Sequence, residues 1–118
     1  MADYKEIADN LLQHFTRYIV NHEFILAPSG RVQKLRIELI NYAVVDIYYS
    51  KTSGKYSFHY EDENNIYRHD NSPHHPDVNT FPKHSHFNET VDVSHLSGDI
   101  LQSSLEFFQL MIEKFINK

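Results

Sequence analysis

The sequence predicts an α+β domain in which an antiparallel β-meander is covered by an N-terminal and a C-terminal helix. Three observations support this class: apolar residues at helical spacing near both ends of the chain, apolar residues in strict alternation in the middle, and short polar turns between the alternating stretches. Consecutive strands joined by short turns pair in an antiparallel manner. A chain of 118 residues builds one hydrophobic core, so residues 1–118 are predicted to form a single domain.

The two helices are predicted at the ends of the chain. Over residues 3–21, apolar side chains recur at every third or fourth position, and Asp3 is a suitable N-cap. A second stripe of this kind predicts a helix over residues 98–117, with Ser97 as its N-cap. Both helices have one apolar face, so both are expected to pack on the same face of the sheet.

Four to five strands are predicted between the helices. They cover residues 24–27, 32–40, 43–50, 56–62 and 66–69, and residues 91–93 can add a short further strand. The alternation is clearest at Leu35, Ile37 and Leu39, which are separated by charged residues and therefore share the core face. Across the hairpin that joins the fourth and fifth strands, His59 and Arg68 are predicted to share the opposite face in a suitable register.

Residues 56–87 concentrate the ionisable chemistry of the chain. Six of the nine histidines lie there: His59, His69, His74, His75, His84 and His86. Residues 70–87 hold three of the four prolines, which predicts an ordered loop rich in histidine and proline. In an extended chain His74 and His75 point to opposite sides, so one of them at most faces inward, whereas His84 and His86 point the same way.

Composition narrows the function classes. A net charge of −5 argues against broad, sequence-independent binding of nucleic acid and leaves room for a small phosphate site. The chain has no cysteine, which excludes disulfides, thiolate metal sites and thiol nucleophiles. No secretory signal and no run of about 18 apolar residues is visible, so we expect a cytoplasmic protein without a membrane segment.

Three mechanisms fit residues 56–87. In the first, two histidines act as general base and general acid in cleaving an RNA phosphodiester, and Arg68 neutralises the developing charge on phosphorus. RNA supplies its own nucleophile through the 2′-hydroxyl, so neither serine nor cysteine is needed. In the second, no catalysis occurs, and the histidines form a binding module whose hydrogen bonds hold the long loop in place.

The third mechanism is that of a metal-dependent hydrolase. Histidines two apart on an extended chain suit a divalent transition metal when a third ligand is near. The candidate ligands are His74 or His75 together with His84 and His86, with Asp70 as a further donor. Such a metal would activate water. From the residues alone, all three mechanisms remain open.

The same stretch closely resembles the TumE-like toxins, which are small toxins of prokaryotic toxin–antitoxin pairs. Residues 56–60 (YSFHY) resemble the family's strand of YxYHW type, residues 67–75 (YRHDNSPHH) its FRYDNAPHH element, and residues 80–86 (TFPKHSH) its TFPHHKH element. Eight positions match the family pattern: His59, Arg68, Asp70, Asn71, His74, His75, His84 and His86. His69, Lys83 and Ser85 depart from it, so we do not expect them to be essential.

The resemblance implies a toxin that a cognate antitoxin protein holds in check. RNA cleavage is a common chemistry of such toxins, so we predict a metal-independent ribonuclease with no cofactor. The predicted catalytic residues are His59, Arg68, Asp70, His74, His75, His84 and His86. The exposed strand edges of a meander also permit a homodimer.

Overall fold

The α+β class is confirmed by the computed structural model, which describes residues 3–117. The elements are α1 (Tyr4–Phe15), β1 (Ile19–Leu26), β2 (Val32–Leu39), β3 (Val44–Tyr49), β4 (Tyr56–Glu61), β5 (Ile66–Asp70), β6 (His84–Phe87), β7 (Thr90–Val93) and α2 (Ile100–Met111). A single 3₁₀ turn (Thr16–Tyr18) follows α1, and a π-helical turn (Ile112–Ile116) continues α2. Neither helix of residues 3–117 has the length and apolar character needed to cross a bilayer.

The strands form one seven-stranded antiparallel sheet in chain order, from β1 to β7. The prediction of four to five strands was therefore too low. It missed β6 inside the predicted loop, where the last proline is Pro82 and every following residue can donate to a neighbouring strand. The loop is accordingly shorter than predicted and covers residues 71–83.

The first predicted helix was too long. It ends at Phe15, and the residues predicted to complete it form the 3₁₀ turn and the start of β1. Ile19 and Val20, which open β1, are β-branched and favour a strand. Asp3 caps α1 as predicted, whereas α2 is capped by Asp99, whose carboxylate accepts a hydrogen bond from the Gln102 amide at 3.0 Å.

Both helices pack on one face of the sheet, here called the covered face. The alternating apolar residues of β2, β3 and β4 point to it and are buried: Leu35, Ile37, Leu39, Val45, Ile47, Tyr56, Phe58 and Tyr60. Phe58 stacks on Phe107 of α2 with ring centroids 5.3 Å apart, and Phe15 of α1 stacks on Phe108 at 5.6 Å. Burial of each large side chain contributes roughly 1.5–3 kcal/mol to folding, so this face holds the domain together.

The opposite face, here called the open face, is polar. Residues that are paired directly across antiparallel strands share a face, and the register aligns one row across β2 to β6: Arg36, Asp46, His59, Arg68 and His86. A neighbouring row contains Asp70 and His84. At the edge of the sheet, Val20 and Leu26 of β1 are exposed, and a homodimer through this edge stays a prediction.

Candidate active site

The site is built on β4, β5 and β6, whose alternate side chains point to the open face. Five of the seven predicted catalytic residues come together there: His59, Arg68, Asp70, His84 and His86. As predicted, His59 and Arg68 face each other across a hairpin, and His84 and His86 point the same way. His75 reaches the cluster from the loop, whereas His74 is exposed to solvent and does not join it.

Asp70 is the centre of the ionic contacts. Its Oδ2 lies 2.9 Å from Nε of Arg68, and its Oδ1 lies 3.0 Å from Nε2 of His84. Oδ1 also accepts a hydrogen bond from the backbone N–H of Ser72 at 3.0 Å. Asp70 is only 5% exposed, and a carboxylate so buried is stable only when it is paired. Asp70 therefore contacts Arg68 through one oxygen and His84 through the other.

His84 has an acceptor at each ring nitrogen. Nδ1 donates to the carbonyl of Pro82 at 3.0 Å, and Nε2 faces the Asp70 carboxylate. Each ring nitrogen of His84 is therefore engaged by an oxygen of the site. With 1% exposure, His84 has almost no access to solvent. It holds Asp70 in place and leaves neither nitrogen free for a substrate.

His86 is the opposite case. Burial, together with the positive charges of Arg68 and His84, lowers the pKa of His86 to about 4, so its ring is neutral near pH 7. Its Nε2 is buried and forms no hydrogen bond within residues 3–117. In the tautomer that is protonated at Nδ1, this nitrogen has an unshared lone pair.

Arg68 lies between two imidazoles. His59 is its partner on β4 and His86 its partner on β6. Adjacent strands are about 4.8 Å apart, so β4 and β6 lie about 10 Å from each other, with β5 and Arg68 between them. His59 Nε2 donates to Glu61 Oε1 at 3.2 Å. Glu61 was not predicted as a site residue, although its position two residues after His59 places it on the same face.

The three rings of His75, His84 and His86 pack edge to face, with centroids 4.8 to 5.3 Å apart. One nitrogen from each ring lies within 4.8 Å of the others, which is compatible with a shared metal ion. Of the two alternatives that the sequence offered, His75 lies beside His84 and His86, whereas His74, which the predicted ligand set His74, His84 and His86 includes, is exposed. A metal here would also require His84 to give up its bond to Asp70 or to Pro82.

Two further residues of the stretch have structural roles. Asn71 accepts from the amide of Tyr56 and donates to the carbonyl of Gly54, both at 3.0 Å, and so ties the start of the loop to the turn before β4. His69 points to the covered face, outside the site. Burial lowers its pKa to about 4, and its ring is hydrogen-bonded to Ser94 and Tyr67.

Fold and site together define a class of protein: a small α+β domain with a histidine–arginine–aspartate site on the open face of an antiparallel sheet. The family model described as toxin TumE matches residues 5–116, which include the whole sheet and every residue of the site. The chain belongs to the TumE toxin family, and the resemblance seen in its sequence is thereby confirmed. No curated protein and no solved structure gives a significant match to it.

Proposed function

We propose that this member of the TumE toxin family cleaves RNA by acid–base chemistry without a metal ion. Arg68 lies between His59 and His86 on adjacent strands, and this arrangement carries the proposal. In-line cleavage needs a base and an acid on opposite sides of one phosphate. The length of the O–P–O axis plus a hydrogen bond of about 2.8 Å at each end is comparable with the distance between β4 and β6.

Arg68 is suited to bind the scissile phosphate. Its side chain is 38% exposed, and Asp70 contacts only its Nε. Within residues 3–117 the two terminal nitrogens form no hydrogen bond, so they can hold two phosphate oxygens side by side. Asp70 is itself held by His84 and the Ser72 amide, and it therefore acts as a positioning residue for Arg68. The guanidinium would stabilise the charge that develops on the phosphorane.

His86 is the proposed base and His59 the proposed acid. His86 is neutral and its Nε2 has no hydrogen-bond partner within residues 3–117, whereas Nε2 of His59 carries the proton that it donates to the Glu61 carboxylate. The neutral ring of His86 takes the proton of the 2′-hydroxyl, and the 2′-oxygen then forms a bond to phosphorus. The bond from phosphorus to the 5′-oxygen breaks, and His59 donates a proton to that oxygen. The products are a 2′,3′-cyclic phosphate and a 5′-hydroxyl.

A base with a pKa of about 4 is weak at neutral pH. A bound phosphate would offset the positive charges of Arg68 and His84, which lower the pKa of His86, and would therefore raise it. Substrate binding thus brings the base closer to the pH at which proton transfer is efficient. Membership in a toxin family implies a cognate antitoxin protein, and RNA cleavage in the cytoplasm is the activity that it would restrain.

The test is cleavage of end-labelled RNA by the untagged protein in excess EDTA. We expect cyclic-phosphate products, and a loss of about 10²- to 10⁴-fold in rate for each of His59→Ala, Arg68→Ala and His86→Ala. His14→Ala is the matched control, since His14 is exposed on α1 and bonds only to the carbonyl of Asn10. Circular dichroism should show the same fold for all four variants.

Two results would overturn the proposal. Cleavage that stops in EDTA and returns with zinc or manganese, with His75→Ala as inactive as His86→Ala, would indicate the metal-dependent hydrolase. Growth arrest by all three variants, without RNA cleavage by the wild type, would indicate a binding module.

A further inference from the structure

Tyr42, in the turn between β2 and β3, has an unusual backbone conformation. Five residues within 3–117 have positive φ, namely Gly30, Gly54, Gly98, Asn88 and Tyr42. Glycine and asparagine are the residues that tolerate this region, because a larger side chain brings Cβ against the backbone. Tyr42 departs from this rule with φ of 68°. Tyr42 is 96% exposed, so packing does not account for a tyrosine at this position.

Tyr42 instead borders a cavity on the open face. The cavity has a volume of about 370 Å³, and its lining includes Tyr42, Val44, His59, Glu61 and Glu63. His59, the proposed acid, lies at one side of it. The cavity therefore continues the row of site residues away from Arg68, with an exposed aromatic ring as one wall.

The charges around this cavity are mainly negative. Asp46 is neutralised by Lys34 at 3.2 Å and Arg36 at 2.9 Å. Glu61 bonds to His59 through one oxygen only, and Glu63 forms no ion pair within the part of the chain that the structure describes. Carboxylates of this kind repel a phosphate and accept hydrogen bonds from amino groups.

Asp62 adds no free acceptor to the cavity. It accepts hydrogen bonds from the hydroxyl of Tyr60 and from the amides of Asn64 and Asn65, and these bonds lower its pKa against the effect of burial. The acceptors that remain for a ligand are thus Glu63 and the second oxygen of Glu61. Both lie beside the aromatic wall.

We propose that this cavity binds a nucleobase that carries an exocyclic amino group. Tyr42 would stack on the base, as aromatic side chains do with unpaired RNA bases, and Glu61 and Glu63 would accept from its amino group. The inference rests on the proposed ribonuclease function and deepens it. Because His59 protonates the leaving 5′-oxygen, the base in the cavity belongs to the nucleotide on the 3′ side of the cleaved phosphate. Cytosine, adenine or guanine is preferred there over uracil.

The test compares the dinucleotides UpC and UpU, whose leaving nucleosides differ only at positions 3 and 4 of the pyrimidine ring. We expect kcat/KM to be about tenfold higher for UpC, the size of effect that one specific contact to a base produces. Glu63→Gln should reduce this ratio to about twofold, since an amide can also donate to the uracil carbonyl. Equal rates for UpC and UpU in the wild type would overturn the inference.

Tyr42→Asn separates binding from folding. It should lower kcat/KM for UpC by about tenfold, mainly through KM, because stacking on the base is lost. It should leave the melting temperature unchanged or raise it by about 2–6 °C, because asparagine tolerates positive φ. Tyr42→Phe should restore cleavage. Ile40→Ala, which shortens an exposed side chain in the same turn, should change nothing. A Tyr42→Asn protein that cleaves UpC normally would overturn the role of the ring.

The two proposals fail in different ways. If the wild type cleaves no RNA, the ribonuclease proposal fails, and binding of cytidine and uridine followed by NMR then decides the inference. Cytidine should shift the signals of Tyr42, Val44 and His59 at concentrations where uridine does not. Equal shifts with both nucleosides, or shifts elsewhere only, would overturn the subsite as well.

Discussion

His69 and His86 lie on neighbouring strands, on opposite faces of one sheet, and each has a pKa of about 4. On the covered face, both ring nitrogens of His69 are hydrogen-bonded, one as donor and the other as acceptor, to the hydroxyls of Ser94 at 2.7 Å and Tyr67 at 2.8 Å. On the open face, Nε2 of His86 has no hydrogen-bond partner among the described residues. A low pKa thus marks burial in both cases, and the free nitrogen is what distinguishes a histidine that can react from one that holds the fold.

The same contrast extends to the two faces. The covered face excludes water with stacked aromatic rings, while the open face holds Asp70 between Arg68 at one oxygen and His84 at the other. Apolar packing contributes to stability without specifying chemistry. A buried ionic network contributes less net stability and fixes the directions of its members. Variants on the two faces should therefore separate stability from activity.

The largest effect on stability is expected from Phe58→Ala. Phe58 is fully buried and stacks on Phe107, and truncation of a buried phenylalanine costs about 3–5 kcal/mol. Urea denaturation followed by circular dichroism measures the loss. The cleavage rate of the remaining folded protein should stay within a few-fold of the wild type. A rate that fell as far as in His86→Ala would show that the two faces are not separable.

Lowering the pH should reduce the free energy of unfolding because of His69. Its pKa is about 4 in the folded protein, against an ordinary value of 6.5. Between pH 4 and 6.5 the unfolded chain binds more protons at this position than the folded protein does. The contribution of His69 to the free energy of unfolding is therefore full above pH 6.5 and is lost as the pH falls toward 4. The loss is on the order of 3 kcal/mol. His69→Asn, which keeps a polar group near Ser94 and does not titrate, should be less stable at pH 7 and should show a shallower decline between pH 6.5 and 4.5. An unchanged slope would assign the acid sensitivity to other groups.

A smaller effect on stability is expected from Asp70→Asn. It replaces two charged contacts by weaker neutral ones, which costs about 1.5–3 kcal/mol, and it releases Arg68 from its position. Cleavage should fall with a rise in KM for the phosphate-bearing substrate, and Asp70→Glu should not restore it, because the longer side chain does not fit the same buried space. Asp92→Asn, on exposed β7, is the control. Normal cleavage by Asp70→Asn would exclude a positioning role for Asp70.

Much of the fold is predictable because its signals are local. Strict alternation at Leu35, Ile37 and Leu39 identifies a half-buried strand from a few residues. The boundary near Phe15 was missed, since Tyr18 and Ile19 continue the helical spacing of apolar residues even though the chain has already turned. Only the packing of the whole sheet decides between a helix and a strand for such a segment.

The site was predictable in its residues and not in its connections. Clustering located the histidines, and the spacing of His84 and His86 gave their common direction. The pairing of Asp70 with His84 depends on the register between β5 and β6, which are separated by a loop of 13 residues (71–83). No local pattern encodes that register. The same reason hid His75 as the inward member of the adjacent pair.

The order of the strands in the sheet follows their order in the chain. Each hairpin can therefore close soon after its residues are synthesised, at a small cost in loop entropy. The last site residue to leave the ribosome is His86. A nascent chain that ends before β6 already has the residues of its first five strands but lacks both His84 and His86, so under the proposed mechanism it also lacks the base.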